Sequence, residues 1–391
     1  MSEWEKVKLG EICSYGKERI GVASLSCATY ISTENMLPNR GGIVLASSIP
    51  DAGNVIAYKK NDVLVSNIRP YFKKIWRASH DGGCSADVLV FRNRENVDAK
   101  FLYYLLSADS FFDYSMATAK GTKMPRGDKN SLMEYGIKLP PLAEQRRIAE
   151  ILGSLDDKIE LNNRINRNLE EQAQALFKNW FVDFAPFGGN MPAGWKETTL
   201  GDVCLKVTDG SHFSPQDDPT APYPMYSVKD METYGFNSNN CKHISEEDFE
   251  KMKAGDCVPK INDILVAKDG SYLKEIFICS EEREEAILSS IAIFRPDKKK
   301  ILPEILLFLL KQPSVRKDVG DNFVSGSALP RIVLKDFKKY QFILPSLNAQ
   351  QDLAKMLNSI RQQIQNNVDE NQRLTALRDT LLPKLTSGEE I

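Results

Sequence analysis

The chain writes one pattern twice, and that duplication limits what it can fold into more than any other feature. "LPPLAEQRRI" begins at Leu139 and "LPSLNAQQDL" begins at Leu344, 205 residues later, with the same Leu-Pro-x-Leu-x-x-Gln frame. The match extends in order along the whole sequence. "WEKVKLGEIC" from Trp4 pairs with "WKETTLGDVC" from Trp195, and "NDVLVSNIRPYFKKI" from Asn61 pairs with "NDILVAKDGSYLKEI" from Asn262. "VLVFR" ending at Arg92 answers "IAIFR" ending at Arg295, "FLYYLLS" answers "ILLFLLK", and "GTKMPR" from Gly121 answers "GSALPR" from Gly326. The offset grows from 191 to 205, so the second copy has gained about 14 residues, mostly before Asn262. Self-similarity of this kind defines the architecture before any single element does.

Each copy reads alike. Short β-branched runs ("DVLVS", "DILVA") bounded by Asn, Asp and Gly predict strands. A compact apolar helix follows, then a Gly-containing loop ending in Pro-Arg, then a long helix announced by a proline just inside its start. The expected organisation is globular, helix, globular, helix. Residues 1–140 form a first head, 141–184 a first long helix, 185–343 a second head and 344–391 a second long helix. The fold class is α+β, with two similar α/β heads, two long helices and a pseudo-two-fold internal repeat.

The long helices carry heptad seams. In the first, Ile148, Leu152, Leu155, Ile159, Asn162, Asn166, Leu169, Ala173, Leu176 and Trp180 alternate spacings of four and three. In the second, Leu353, Leu357, Ile360, Ile364, Asn367, Asn371, Leu374, Arg378 and Leu381 do the same. An antiparallel coiled coil sets Asn162 opposite Asn371 and Asn166 opposite Asn367. Amides facing amides between aliphatic layers fix register at some expense in stability; asparagines at the solvated edge of the seam are the plainer alternative. The first seam predicts a rod of roughly 50 Å at ~1.5 Å per residue. Heads held at its two ends would reach major grooves about one turn of duplex apart.

Charge limits the partners. The whole chain has net charge −2, but residues 1–140 carry +4 and residues 185–344 carry −3. A modest basic excess in the first head permits nucleic-acid binding without demanding it. In that head, "SNIRPYFKKIWR" places Arg69, Tyr71, Lys73 and Lys74 just beyond a predicted strand. The loop "AKGTKMPRGDK" adds Lys120, Thr122, Lys123, Arg126 and Lys129, with Gly121 allowing close backbone approach. Arginine offers a fork to a guanine edge or a phosphate, and lysines neutralise backbone; a surface hairpin with routine charge is the rival reading. In the second head, "TDGSHFSPQ" presents Asp209, Ser211, His212 and Gln216, "AKDGSYLKE" presents Lys268, Ser271, Tyr272 and Lys274, and "SGSALPR" keeps only Arg331 of the basic set. The "DKKK" run at Asp297 reads as a solvated turn.

Catalysis finds no foothold in the motifs. There is no G-x-x-x-x-G-K-[ST] loop, no G-x-G-x-x-G opening a helix, and no Asn-Pro-Pro-Tyr-type motif to hold an adenine amino group. His80, His212 and His243 lie outside any G-x-S-x-G or H-E-x-x-H pattern. Asp156 and Asp157 read as a solvated helix face. The seven cysteines (Cys13, Cys27, Cys84, Cys204, Cys241, Cys257 and Cys279) form no C-x-x-C pair, which argues for a reducing cytoplasm and against a zinc site. The longest apolar run, "ILPEILLFLL", is broken by Pro303 and Glu304, so no membrane span is expected, and no signal peptide is expected either. No cofactor and no metal are expected.

Several segments carry a family resemblance: the duplicated "LPPLAEQRRIAEIL" frame, "LDDKIELNNRINRNLEEQAQALFKNWF", "MPAGWKETTLGDV", "DGSHFSPQ" and "DILVAKDGSYLKE". Together they resemble the specificity subunit of bacterial type I restriction–modification systems, over essentially the whole chain. The resemblance implies that the heads are target-recognition domains, similar to the DNA-reading domain of adenine methyltransferases. Each would read one half of a bipartite double-stranded DNA target, with the helices as spacer. It also implies a non-catalytic subunit that assembles with two DNA adenine methyltransferase (modification) subunits and, for cleavage, ATP-dependent restriction subunits. With three or four usable cations per head, the lone chain is expected to bind DNA weakly at physiological salt, because specific complexes commonly neutralise six or more phosphates. The rival class is a duplicated scaffold that holds two protein partners and touches no DNA.

Overall fold

A computed structural model describes residues 4–239 and 241–388. The chain divides into two compact units, Met1–Leu161 with Glu370–Ile391, and Asn162–Asp369. The division falls inside both long helices, Leu142–Phe181 and Leu347–Ser387, rather than at their starts. Each unit therefore contains one head together with a portion of each helix.

In the first unit, strand Glu5–Lys8 pairs antiparallel with Gly136–Leu139, clasping the start of the head to its end. The central sheet is antiparallel, in the order Cys13–Tyr15, Val88–Asn93, Val63–Ser66, Ile75–Arg77. One face of it, through Val63, Val65, Leu89 and Phe91, packs on the helices Ala99–Ser107 and Asp109–Ala117 by way of Phe101, Leu105, Phe111 and Phe112. The other face, through Leu64, Val88 and Val90, packs on Ile31, Met36, Tyr58 and Cys84. These belong to the segments around a second four-stranded sheet, Arg19–Gly21, Asn54–Tyr58, Gly82–Cys84, Tyr30–Ile31. Burial on both faces explains why "VLV" runs without polar alternation. Ile148 and Leu152 from the first long helix, and Leu382 and Leu385 from the second, complete this core.

The second unit repeats the plan. Lys196–Thr199 pairs with Gln341–Leu344, and the central sheet runs Cys204–Asp209, Ile291–Pro296, Ile264–Ala267, Ile276–Ile278 in equivalent order. Its core takes Ala173, Phe177 and Phe181 from the first long helix and Leu353, Ala354 and Leu357 from the second. The extra residues of this copy are accounted for before Asn262 by the nine-residue helix Glu246–Ala254, whose Phe249 and Met252 pack on Met225 and Ile244.

Small features repeat as faithfully as strands do. Asn61 and Asn262 both adopt left-handed backbone, with φ of 76° and 72°, a conformation asparagine tolerates better than most residues. Each introduces an aspartate buried in a two-pronged pair. Arg92 Nε and Nη2 donate to Asp62 at 2.9 and 2.7 Å, and Arg295 donates through the same atoms to Asp263 at 2.8 Å each. The repeated glutamine is a second tie. Gln145 Nε2 donates to Pro140 O (2.9 Å) and its Oε1 accepts from Asp98 N (2.9 Å); Gln350 does the same with Pro345 O and Leu302 N, each at 2.9 Å. Both glutamines are buried. The repeated frame therefore closes the turn that leads from each head into its long helix.

All seam positions of the long helices are buried or half-buried. Within the first unit the helices meet through Arg378 Nη1–Asp156 Oδ1 (2.9 Å) and Lys158–Glu370 (3.2 Å). Asp156 is thus a half-buried bridge that also accepts from Tyr104 at 2.7 Å, not the solvated face expected of it. Within the second unit, Asn367 Nδ2 donates to Asn166 Oδ1 at 2.8 Å. In both units residues early in one helix segment face residues late in the other, which is antiparallel packing. Asn162 is fully buried and Asn371 half-buried; their expected pairing straddles the two units.

Candidate nucleic-acid interface

The first head gathers its candidate residues at the end of strand Val63–Ser66. There the chain turns through Asn67 and Arg69 into a 3-10 turn, Pro70–Phe72. Arg69 has φ 51°, a left-handed conformation that an arginine adopts only under constraint. Two contacts supply that constraint: Arg69 N donates to Pro125 O at 2.8 Å, and Ile68 bridges Arg126. The Pro-Arg loop is closed in turn by reciprocal backbone bonds between Lys120 and Arg126, at 2.9 and 3.0 Å, leaving the tip from Gly121 to Met124 exposed. Gly121, at φ 89°, makes that tip possible. Between turn and loop lies an open cleft of about 560 Å³ lined by Asn67, Lys120, Met124, Arg126, Gly127 and Lys129 among others.

The cations differ in availability. Lys73 pairs with Asp109 (2.8 Å), Lys74 donates to Thr33 O (2.6 Å), and Arg126 lies 3.3 Å from Asp87. Burial pushes Lys74 below the usual lysine range. Lys120 pairs with Asp128, and this ammonium, helped by the Ser131 N–H, holds the Asp128 carboxyl down at about 2. Arg69, Lys123 and Lys129 carry no side-chain ion pair or hydrogen bond among the described residues, and Thr122 at the tip is exposed. Exposed pairs such as Lys120–Asp128 are weak and exchange readily for a phosphate. Tyr71 is exposed beside Phe72, with their ring centroids 4.7 Å apart.

The second head brings the equivalent segments together but fills them differently. Gly270, at φ 71°, takes the place of Arg69 and bonds Pro330 O at 2.7 Å, and Asp269 bridges Arg331. Lys268, expected as a DNA contact, is instead buried: its ammonium lies 2.6 Å from Asp209 and 3.7 Å from Asp269. An ammonium cannot be desolvated without counter-charge, so its charge is committed inside the head. Arg331 Nε lies 3.3 Å from Asp269. Tyr272, unlike Tyr71, is half-buried against the core. Ser211, His212 and Gln216 sit on an accessible loop, where Ser211 Oγ receives the Phe213 N–H at 3.1 Å and His212 lies 3.4 Å from Asp209. Gly210 has no alternative there, because a Cβ would lie 2.2 Å from Ile287 O. Ser271 and Lys274 are exposed, Lys274 beside Glu275 at 3.3 Å.

Sequence reasoning missed Asn67 and Asp87, and it placed Asp209 on a base-contacting loop where the structure pairs it with the buried Lys268 at 2.6 Å. The only signal for Asn67 was its position one residue beyond the repeated "LVS"/"LVA" strand. Among the described residues, no group of three or more His, Cys, Asp or Glu side chains is placed to hold a metal ion, and no helix is long and apolar enough to cross a membrane.

Comparison with known proteins bears on this geometry. The type I restriction modification DNA specificity domain family matches residues 1–171 and again 192–376, one match per copy. The chain is 26% identical over 458 aligned residues to the type I restriction enzyme HindI specificity subunit of Haemophilus influenzae, covering the whole of both. It is 30% identical over 323 residues to the MjaIX specificity subunit of Methanocaldococcus jannaschii, spanning 76% of this chain and 71% of that one. The crystal structure of the S subunit of the type I restriction–modification system of M. genitalium superposes with a TM-score of 0.56 at 18% identity, covering 98% and 96% of the two chains, a likeness of fold. With two family matches in register with its two heads, this chain belongs to the type I restriction–modification DNA specificity subunits.

Proposed function

We propose that this non-catalytic subunit reads a bipartite DNA sequence, one half-site per head, and directs adenine methylation and cleavage carried out by partner subunits. Two modification methyltransferases and ATP-dependent restriction subunits are the partners, the long helices are the spacer, and the cytoplasm is the compartment. The observation that carries the reading is the pair of equivalent turn-and-loop surfaces bearing different side chains. Asn67, Arg69 and Lys123 of the first head stand where Lys268, Gly270 and Ala328 stand in the second. A scaffold gripping two copies of one partner would keep those surfaces alike. A reader of two different half-sites must vary them, because base edges differ in their donors and acceptors.

Direct contacts are assigned to Arg69, Lys123, Lys129, Thr122 and Tyr71, with Lys120, Arg126, Lys73 and Lys74 following the backbone. In the second head they fall to Ser211, His212, Gln216, Ser271, Lys274 and Arg331. Tyr272 and Lys268 support the second surface from beneath. Methylome sequencing of cells with and without the gene tests the function. A two-part adenine-methylation motif that disappears on deletion is expected; an unchanged methylome overturns it.

A further inference from the structure

We propose that Asn67 is a specificity-determining residue that reads an adenine edge in the half-site of the first head, an assignment that rests on the DNA-reading function above. Asn67 is 7% exposed. Its backbone is satisfied, donating to Asp87 O at 2.8 Å and accepting from Gly127 N at 3.3 Å. Its side chain is not: Oδ1 is buried with no hydrogen-bond partner among the described residues, while the residue borders the open cleft beside Lys120, Arg126 and Lys129. Native proteins hold few such groups, and each calls for a reason.

The surroundings preserve this unsatisfied amide. A Cβ on Gly127 would lie 3.0 Å from Asn67 Oδ1 and 2.9 Å from Ser115 Oγ, so glycine there leaves the amide its seat. Two residues on, Arg69 also has a buried Nε without a partner and bears left-handed backbone. The fold does not require this arrangement. In the second head the same positions are Lys268, neutralised by Asp209 at 2.6 Å, and Gly270, for which φ 71° is unstrained. The second surface has its own left-handed residue, Leu273 at φ 52°, and its own buried atom without a hydrogen bond, Asp269 Oδ1, but Lys268 and Arg331 pair with that carboxylate at 3.7 and 3.3 Å. Asn67 Oδ1 has no such partner among the described residues, and unmet polarity beside an open cleft marks where a ligand completes the site.

The chemistry selects the base. A carboxamide sets one acceptor beside one donor, and its final torsion is broad enough to present both ends to the cleft. Adenine alone shows the complementary pair in the major groove, the N6 amino donor next to the N7 acceptor; guanine offers two acceptors, and cytosine only a donor. The cations lining the cleft hold the phosphates on either side.

The test is Asn67→Ala in the full chain, expressed with its modification partners and read by methylome sequencing and thermal melting. One position of one half-site should lose its preference for adenine by about ten- to hundredfold. The other half-site should not change, and Tm should hold or rise, because an unsatisfied buried group has gone. Asn67→Asp, which only accepts, should move the preference at that position toward cytosine. An unchanged motif in Asn67→Ala overturns the assignment, as does a lowered Tm with uniform loss of methylation in both variants, which marks a packing role. If the unaltered chain yields no two-part motif, the DNA-reading function itself fails; a normal motif that ignores Asn67 sinks only this inference.

Discussion

Asn367 Nδ2 donates a 2.8 Å hydrogen bond to Asn166 Oδ1 across the helix pair, and Asn166 is 2% exposed. Along the seam the pair is followed on one side by Leu169 and Ile364 and on the other by the asparagines Asn162 and Asn371. Removing either partner strands the other amide of this buried hydrogen bond, so Asn166→Leu or Asn367→Leu should each destabilise by about 1–3 kcal/mol. The double leucine variant should recover most of that loss. Urea unfolding of the four proteins as a double-mutant cycle measures the coupling, and additive single effects would remove the pairing from the account of register.

Gln145 is the clearest structural reason for the repeated frame. Its amide accepts from Asp98 N and donates to Pro140 O while itself 1% exposed. Gln145→Leu strands both backbone groups and should cost roughly 1–3 kcal/mol by denaturant unfolding. Gln350→Leu should do likewise, by its bonds to Leu302 N and Pro345 O.

Arg69 holds left-handed backbone where its counterpart is Gly270. Arg69→Gly should relieve about 1 kcal/mol of backbone strain and raise Tm slightly, while weakening DNA binding by the assembled complex. Titration against salt separates the roles. A slope reduced by about one marks a phosphate contact; an unchanged slope with relaxed sequence preference marks a base contact.

Asp256 gives the second head an acid-sensitive joint. Burial works to raise its carboxyl, but Lys206, Arg295 and Lys260 outweigh it and hold the group well below its ordinary value. A depressed carboxylate contributes stability that is full above the unfolded pKa, about 3.9, and is lost as pH falls toward the folded one. Melting temperature should therefore drop below about pH 4, and Asp256→Asn should flatten part of that fall while lowering stability at pH 7.

Periodicity and repetition made much of this protein legible. A 3.5-residue seam and a collinear duplication are local in sequence, so the two long helices, the doubled head and the facing Asn166 and Asn367 could be read directly, and the family resemblance rested on the same segments. What loops present is not local. Lys268 and Lys123 are both lysines on turns, yet one is buried between Asp209 and Asp269 and the other is exposed. Asp156 looked solvated until Tyr104 and Arg378 closed on it. Which charge is committed and which remains free depends on partners as far off in the chain as 52 residues (Tyr104 to Asp156), 59 (Asp209 to Lys268) and 222 (Asp156 to Arg378). Only the folded chain decides those, because charge and hydrogen bonding are settled by distance in space.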